Sequence, residues 1–204
     1  MRIDHGCKNI ILLMSIFSLL TACTSSPPVP QDNFYHLATI QAPNKHQHKL
    51  TLVLKDFQGD GLYRERALLY INAPDPLQTR RYSYHFWIKS PTKLIRQHMA
   101  SYLLNSQFAE QIKDRPLLGD KHYEISGRIE RLERMIDEGT SKVIVGLRLE
   151  LSSTADRNRI FSKTYMVEKE VEGKRIHDAV ESYSGALVEI YEQFVADVSL
   201  ASKP

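Results

Sequence analysis

The chain has 204 residues, with 27 lysines and arginines against 24 aspartates and glutamates, so its formal net charge is +3. This balance, without any block of basic residues, argues against a nucleic-acid partner. The length is sufficient for one domain with a substantial hydrophobic core. Composition therefore indicates a single soluble domain of ordinary charge.

The N-terminus carries the features of a secretory signal. Arg2 and Lys8 precede an apolar run at residues 10–20, and the small residues Thr21 and Ala22 follow it. A positive segment, a short apolar segment and a small-residue site are typical of a cleaved signal peptide. The run is shorter than the ~20 apolar residues that a spanning helix needs. We therefore expect residues 1–22 to be removed.

The cysteine after this run marks a resemblance to a known class. Leu20-Thr21-Ala22-Cys23 resembles the lipobox of bacterial lipoproteins. The resemblance implies cleavage between Ala22 and Cys23 and three fatty acyl chains, such as palmitate, on Cys23. One chain binds a membrane only marginally, but each buried methylene adds ~0.8 kcal/mol, so three would anchor the protein firmly. A plain signal peptide with an incidental cysteine is the alternative.

Two consequences follow for the mature chain. Loss of Arg2, Lys8 and Asp4 would leave a net charge of +2. Because Cys7 leaves with the signal and Cys23 would be lipid-linked, no cysteine remains for a disulfide, and the core alone has to stabilise the fold.

Residues 23–33 predict a flexible tether behind the lipidated cysteine. Proline and serine without apolar periodicity favour an extended, solvated segment. Thr24 follows the cysteine, whereas an aspartate there favours inner-membrane retention in enteric-type sorting. We therefore expect an outer-membrane location facing the periplasm, with the folded domain at residues 34–204.

Strands and one helix are predicted in the first half of the domain. Residues 50–57 and 67–71 are apolar runs closed by turn-forming residues, and residues 82–88 form a short aromatic strand. Ser90 and Pro91 then supply an N-cap and a proline at the first helical position. Apolar residues near the 3.6 period predict a helix after Pro91. A second helical stretch is predicted at residues 106–113, with Phe108 and Ile112 as its apolar contacts.

Three strands and a long helix are predicted in the second half. Residues 123–131, 143–151 and 161–167 alternate in hydrophobicity, and short turn-rich connections make them an antiparallel meander. Residues 174–200 carry a sustained helical stripe: Ile176, Val180, Tyr183, Leu187, Ile190, Phe194 and Val198. This stripe would cover the meander, although a heptad seam can also dimerise. The predicted fold class is α+β: a single domain with a mixed or antiparallel sheet of about five strands, covered on one face by two main helices.

A second resemblance appears between residues 34 and 108. The pattern Phe34-Tyr35-x-Leu37, Tyr63-x-x-Arg66-x-Leu68-x-Tyr70, Tyr84-x-x-Trp87-x-x-x-Pro91-x-x-x-Ile95 and Ser106-x-Phe108, behind a lipobox, resembles the ABC-type transport auxiliary lipoproteins, the family of paraquat-inducible protein C. The resemblance covers most of the mature chain. The loop around residues 45–49 departs from the usual pattern and leaves the subgroup open.

The resemblance implies a non-catalytic accessory subunit of an MCE/ABC-type intermembrane lipid-transport system. Such a subunit would dock to a periplasm-spanning MCE-domain protein, with the ATPase and permease as indirect partners and with a ring-shaped homo-oligomer as a further expectation. The candidate interface residues are Tyr63, Arg66, Tyr70, Tyr84 and Trp87. Trp87 and Tyr84 directly precede the helix start, so we expect both to face the core, whereas Tyr82 and Phe86 stay open.

No motif in the sequence predicts catalysis, a cofactor or a metal. Nucleophile-elbow, Walker A, dinucleotide-binding and zinc-protease motifs are absent. His46 and His48 could chelate a metal, and Asp56 and Asp60 a cation, but neither pair has further ligands. We therefore expect no enzyme, and a partner ATPase to power transport. The alternatives are an outer-membrane lipoprotein that plugs or chaperones a β-barrel, and an orphan envelope enzyme.

Overall fold

A long central strand organises the sheet. In the computed structural model, which describes residues 29–40, 50–115 and 122–201, this strand (β7) spans Tyr123–Asp137. It pairs antiparallel with β8 (Thr140–Ser153), which pairs antiparallel with β9 (Arg159–Glu170). The predicted meander is therefore confirmed, and its strands are longer than their hydrophobic patterns indicated.

Shorter strands line the other side of β7. Three of them pair in parallel with successive parts of β7, and three more extend the sheet outward. The first set is β2 (Leu50–Leu54), β3 (Gln58–Gly59) and β4 (Ala67–Asn72). The second set is β6 (Ala109–Lys113) beside β2, β5 (Asp75–Trp87) antiparallel to β4, and β1 (Asn33–Tyr35) parallel to β5.

Within the described residues the sheet thus has nine strands, where the sequence predicted about five. The mixed α+β class is confirmed, but the strand count was wrong. β1 and β3 contain three and two residues, too few to show a period of two. A short 3-10 turn, Gly61–Arg64, separates β3 from β4.

In the part of the chain that the structure describes, two helices cover one face of the sheet. They are α1 (Pro91–Asn105) and α2 (Ile176–Ala201), and both contribute to one hydrophobic core with the sheet. The predicted stripe of α2 packs on β8 and β9. Every stripe residue after Ile176 is at least nine-tenths buried: Val180, Tyr183, Leu187, Ile190, Phe194 and Val198. The stripe therefore serves the domain's own core.

The start of α1 differs in one detail from its prediction. Pro91 occupies the first turn as expected, but the side chain of Ser90 caps no helical N–H group. Its hydroxyl instead lies 3.2 Å from the hydroxyl of Thr92.

The helix predicted at residues 106–113 is wrong. Gln107 adopts a positive φ of 57°, which ends α1, and the chain then enters strand β6 beside β2. Glycine is the usual residue at such a helix end. Because Gln107 is not a glycine, the sequence gives no signal for the end of α1 at this position. The spacing of Phe108 and Ile112 also fits a helix, which led to the wrong prediction.

A strap of residues 36–40 ties β1 to both helices. The Ala38 N–H donates to the hydroxyl of Ser184 in α2 at 2.9 Å, and the Ala38 carbonyl lies 3.1 Å from Nε2 of His98 in α1. Asn105 donates to the carbonyl of Ile40 at 3.2 Å. These bonds fix β1 at the outer edge of the sheet, and Asp32–Pro204 forms one compact unit.

Candidate functional site

The edge of the sheet formed by β1 and β5 lies where the N-terminal segment joins the domain. Within the described part of the chain, β1 pairs with His85–Trp87 at the end of β5. Among the described residues, no strand pairs with the outer side of β5 before that point. We call the stretch of β5 from Asp75 to Tyr84 the open edge. All of its residues are exposed except Tyr82, which is half-buried.

The open edge ends in a wide bulge. Ala67 pairs with Phe86 and Leu69 pairs with Arg81, so the single residue Leu68 faces all of residues 82–85. Tyr84 has a φ of 60° within this bulge. Left-handed backbone is costly for a residue with a side chain, and such strain often accompanies functional positions. The bulge turns Tyr84 outward, and the residue is 45% exposed.

On the face of the sheet away from the helices, two phenylalanines and an arginine meet. The rings of Phe34 and Phe86 lie 5.9 Å apart, on paired residues of β1 and β5. The guanidinium of Arg66 lies over the Phe34 ring, 5.1 Å from its centre, and Nε of Arg66 donates to the Trp87 carbonyl at 3.0 Å. A pocket of about 410 Å³ opens here, lined by Asp32, Phe34, Glu65, Arg66, Ala67, Arg81 and Phe86. We call it the Arg–Phe pocket.

On the face towards the helices, the same edge is a packed aromatic cluster. The Tyr35 hydroxyl lies 2.8 Å from Nδ1 of His85, and the rings of Tyr70 and Tyr82 are 4.5 Å apart. Burial raises the pKa of Tyr35. Burial also raises the pKa of Tyr82, although the nearby charge of Arg134 opposes the shift. These aromatic side chains support the edge from within.

Tyr63 lies elsewhere, in a gap between β3 and β4. Its hydroxyl donates to the buried carboxylate of Glu133 at 3.3 Å. Burial, reinforced by the charge of Glu133, raises the pKa of Tyr63 to about 12. The Glu133 carboxylate also accepts from the Leu132 N–H at 2.5 Å and from Arg131. This arrangement is structural, because it satisfies backbone that no strand pairs.

The five candidate interface residues therefore do not form one surface. Trp87 is 2% exposed and packs edge-on against Tyr183 of α2, as expected for a core residue. Tyr84 was expected in the core, and this was wrong, because the bulge points it to solvent. Tyr70 and Tyr63 are half-buried. Only Arg66 and Tyr84 remain as exposed members.

The sequence did not single out the stacking of Arg66 on Phe34 or the pairing of Phe34 with Phe86. Phe34 stands in the quoted motif, but nothing in its spacing shows that β1 adds beside β5. Phe86, whose exposure was undecided, is half-buried and lines the Arg–Phe pocket. A parallel pair between strands about 50 residues apart leaves no local signal.

Within the described ranges, no group of three or more histidines, cysteines, aspartates or glutamates is placed to hold a metal ion. Asp60 pairs with Arg128 instead. Cys23, Ala22, His46 and His48 lie outside the described residues, so their predictions are untested. Neither α1 nor α2 has the length and hydropathy that a membrane-spanning helix requires.

Comparison with known proteins gives the fold. No family model matches the chain, and no curated protein matches it. A crystal structure of a Xanthomonas campestris protein assigned to the family DUF330 is similar with a TM-score of 0.71 and 13% identity, over 83% of this chain and 95% of that one. The crystal structure of an uncharacterised protein gives a TM-score of 0.68 and 9% identity, over 83% and 99%. These similarities show a shared fold that spans nearly the whole of both neighbours.

Proposed function

We propose that this protein is a lipid-anchored lipoprotein of the outer membrane that faces the periplasm. It would serve as the non-catalytic accessory subunit of an MCE/ABC-type lipid-transport system. The observation that carries the proposal is a lipobox at Cys23 in front of a domain whose residues 63–108 have the pattern of the auxiliary lipoproteins. The pattern's exposed members, Arg66 and Tyr84, lie together at one edge of the sheet.

The open edge of β5 is the surface that we assign to docking. An unpaired strand presents free N–H and C=O groups and can accept an added strand from a partner. Arg80 lies on the open edge, and Arg81 is paired there with Glu65, so a polar partner segment with an acidic group near Arg80 would suit it. β9 also has an outer edge without a described partner strand. We favour β5 because the strained Tyr84 ends it.

The protein's part in transport would be structural. Without a nucleotide-binding motif it has no means to drive movement of cargo, so a partner ATPase would supply the energy. The domain's contribution is to hold the end of a periplasm-spanning MCE protein at the membrane to which Cys23 is attached.

Two measurements test the anchor. Mass spectrometry of the mature N-terminus should find Cys23 with three acyl chains, and a Cys23→Ser variant should lack them. In a sucrose gradient, the protein should sediment with outer-membrane markers. Sedimentation with the inner membrane would contradict the proposed location.

Site-specific photo-crosslinking in cells tests the docking surface. A photoreactive phenylalanine analogue at Thr79, which is exposed on the open edge, should give an adduct with an MCE-domain protein. The matched control is Met166 of β9, which is 50% exposed on the opposite edge of the sheet and should give none. An adduct with a β-barrel protein at Thr79 would favour the assembly-factor alternative, and an adduct with a second copy would indicate a homo-oligomer.

A further inference from the structure

The Arg–Phe pocket holds Asp32, Phe34 and Phe86, which the docking edge does not use, together with Arg66. Phe34 is 48% exposed, although its ring lies beside that of Phe86, and it therefore presents apolar surface to solvent. Arg66 is fixed by its Nε bond to the Trp87 carbonyl and by the Phe34 ring. Among the described residues, the terminal amino groups of Arg66 have no hydrogen-bond partner. A pre-oriented guanidinium beside exposed aromatic rings can receive a phosphate.

The charges of the pocket are balanced rather than cationic. Arg81 pairs with Glu65 at 2.9 Å on the rim, and this pair is neutral as a whole. The remaining charges are Arg66 and Asp32, one of each sign. A ligand with both a phosphate and an ammonium group complements them, whereas a purely anionic ligand would face the Asp32 carboxylate. The apolar rings suit the acyl or glycerol part of the same ligand.

The chain's own anchor determines which such ligand is nearest. Only eight residues lie between Cys23 and Asp32 of the pocket. An extended, proline-containing segment of this length reaches about 28 Å at ~3.1 Å per residue. Lipids of the leaflet that holds the acyl chains would therefore be present near the pocket at effective concentrations in the mM range. Even a weak headgroup site would then be occupied.

We propose that the Arg–Phe pocket binds the headgroup of a zwitterionic phospholipid, with Arg66 on the phosphate and Asp32 on the ammonium group. This inference rests on the lipid anchor proposed above. The binding would orient the domain on the membrane, with β1 towards the lipid and the open edge of β5 leading away from it. The tether alone would leave that orientation free.

The test places a photoreactive phenylalanine analogue at Phe34 in the intact, acylated protein. The protein is reconstituted in vesicles of phosphatidylethanolamine and phosphatidylglycerol, with radioactive phosphate in one lipid at a time. Illumination should transfer label from phosphatidylethanolamine to the protein, and less from phosphatidylglycerol. An analogue at Phe86 serves as a second probe in case the first disturbs β1, and an analogue at Met166 is the exposed control.

Substitution of Arg66 shows whether the labelling depends on binding of the headgroup by Arg66 or only on the nearness of Phe34 to the membrane. Arg66→Gln in the Phe34 probe should lower labelling by about ten-fold, the loss expected for one charge-assisted contact. Labelling of the Arg66→Lys variant should lie between that of the unsubstituted Phe34 probe and that of Arg66→Gln. Soluble phosphoethanolamine should compete with the lipid and lower the labelling. Equal labelling at Phe34 and Met166, equal labelling from both lipids, or undiminished labelling with Arg66→Gln would contradict headgroup binding in the Arg–Phe pocket.

Flotation of the same vesicles keeps the two proposals apart. If the protein floats but Phe34 captures no lipid, the headgroup site is wrong and the anchor stands. If the acylated protein fails to float, the lipoprotein assignment fails, and the headgroup site that rests on it fails too. An adduct between Phe34 and another protein, without lipid, would mean that the pocket takes a peptide instead.

Discussion

Glu133 is a buried carboxylate whose role is set by a gap in the sheet. β3 pairs with β7 as far as Ile129, and the pairing of β4 starts at Arg134. Among the residues that the structure describes, the backbone between them has no strand partner on that side, and the Leu132 N–H donates to the Glu133 side chain. A buried donor without an acceptor costs about 1–3 kcal/mol. Loss of this contact should therefore lower stability by more than the net contribution of an average hydrogen bond.

We expect Glu133→Ala to lower the free energy of unfolding by about 2–4 kcal/mol, because Leu132, Tyr63 and Arg131 all lose their acceptor. Glu133→Gln keeps an acceptor oxygen and should lose less, about 1 kcal/mol. Urea unfolding followed by the fluorescence of Trp87, the single tryptophan, measures both. Equal losses for the two variants would show that charge, not the acceptor, matters.

His98 predicts how stability depends on pH. Burial of this α1 residue against the strap and Tyr191 of α2 lowers its pKa to about 4, from 6.5. The unfolded chain therefore binds a proton more readily than the folded one between these values, and stability falls as the pH drops from about 6.5 towards 4. From pH 7.5 to pH 4.5 this histidine alone should remove about 2–3 kcal/mol.

The matched variant is His98→Gln, which keeps a donor for the Ala38 carbonyl but does not titrate. Unfolding free energies of both proteins at pH 7.5 and pH 4.5 isolate the contribution of His98. If the wild type and the variant lose the same stability on acidification, other groups cause the loss.

The position of α2 distinguishes a helix that covers its own sheet from a helix that forms a dimer interface. Its apolar stripe lies on β8 and β9, and Leu187 has no exposed surface. We expect Leu187→Ala to cost about 2–5 kcal/mol, as for other buried leucines. Glu189→Ala, at an exposed position of the same helix, should change stability by less than about 0.5 kcal/mol.

The same experiment tests the dimer alternative. If α2 serves only its own domain, the urea midpoint does not depend on protein concentration. A midpoint that rises with concentration, and that Leu187→Ala makes independent of concentration, would mean that the stripe joins two copies.

At the bulge in β5, we expect a substitution that does not lower the free energy of unfolding. Glycine adopts a positive φ without cost, so Tyr84→Gly should leave the free energy of unfolding unchanged or raise it by about 1 kcal/mol. Tyr84→Val places a branched side chain in the same conformation and should lower it. A stability loss with glycine as large as that with valine would show that the Tyr84 ring contributes packing.

The elements that the sequence predicted are those whose pattern repeats. The predicted meander strands alternate over seven to nine residues and the apolar stripe of α2 runs from Ile176 to Val198, so tertiary contacts and local pattern agree. β6, the bulge at Tyr84 and the end of α1 were missed because Gln107 and Tyr84 occupy left-handed backbone where glycine is expected. The pairing of β1 with β5 is non-local, which is why the Arg–Phe pocket is visible only in the fold.

Three features that have different roles in the proposal lie along one edge of the sheet. The tether joins the domain at β1, the Arg–Phe pocket lies on the outer face of the same edge, and the open edge runs from there along β5. In the proposal, Cys23 keeps the protein on the membrane, the pocket orients it, and the open edge holds the partner. α1 and α2 cover the opposite face and stabilise the platform.

An affinity pull-down of the intact lipoprotein from gently solubilised envelopes tests the docking role most directly. Wild type should recover an MCE-domain protein. Cys23→Ser should recover less, because it leaves the membrane, and Tyr84→Gly should recover less although it folds at least as stably. Recovery of only a β-barrel protein, or equal recovery of the MCE protein by Tyr84→Gly and wild type, would contradict docking of an MCE partner at this edge.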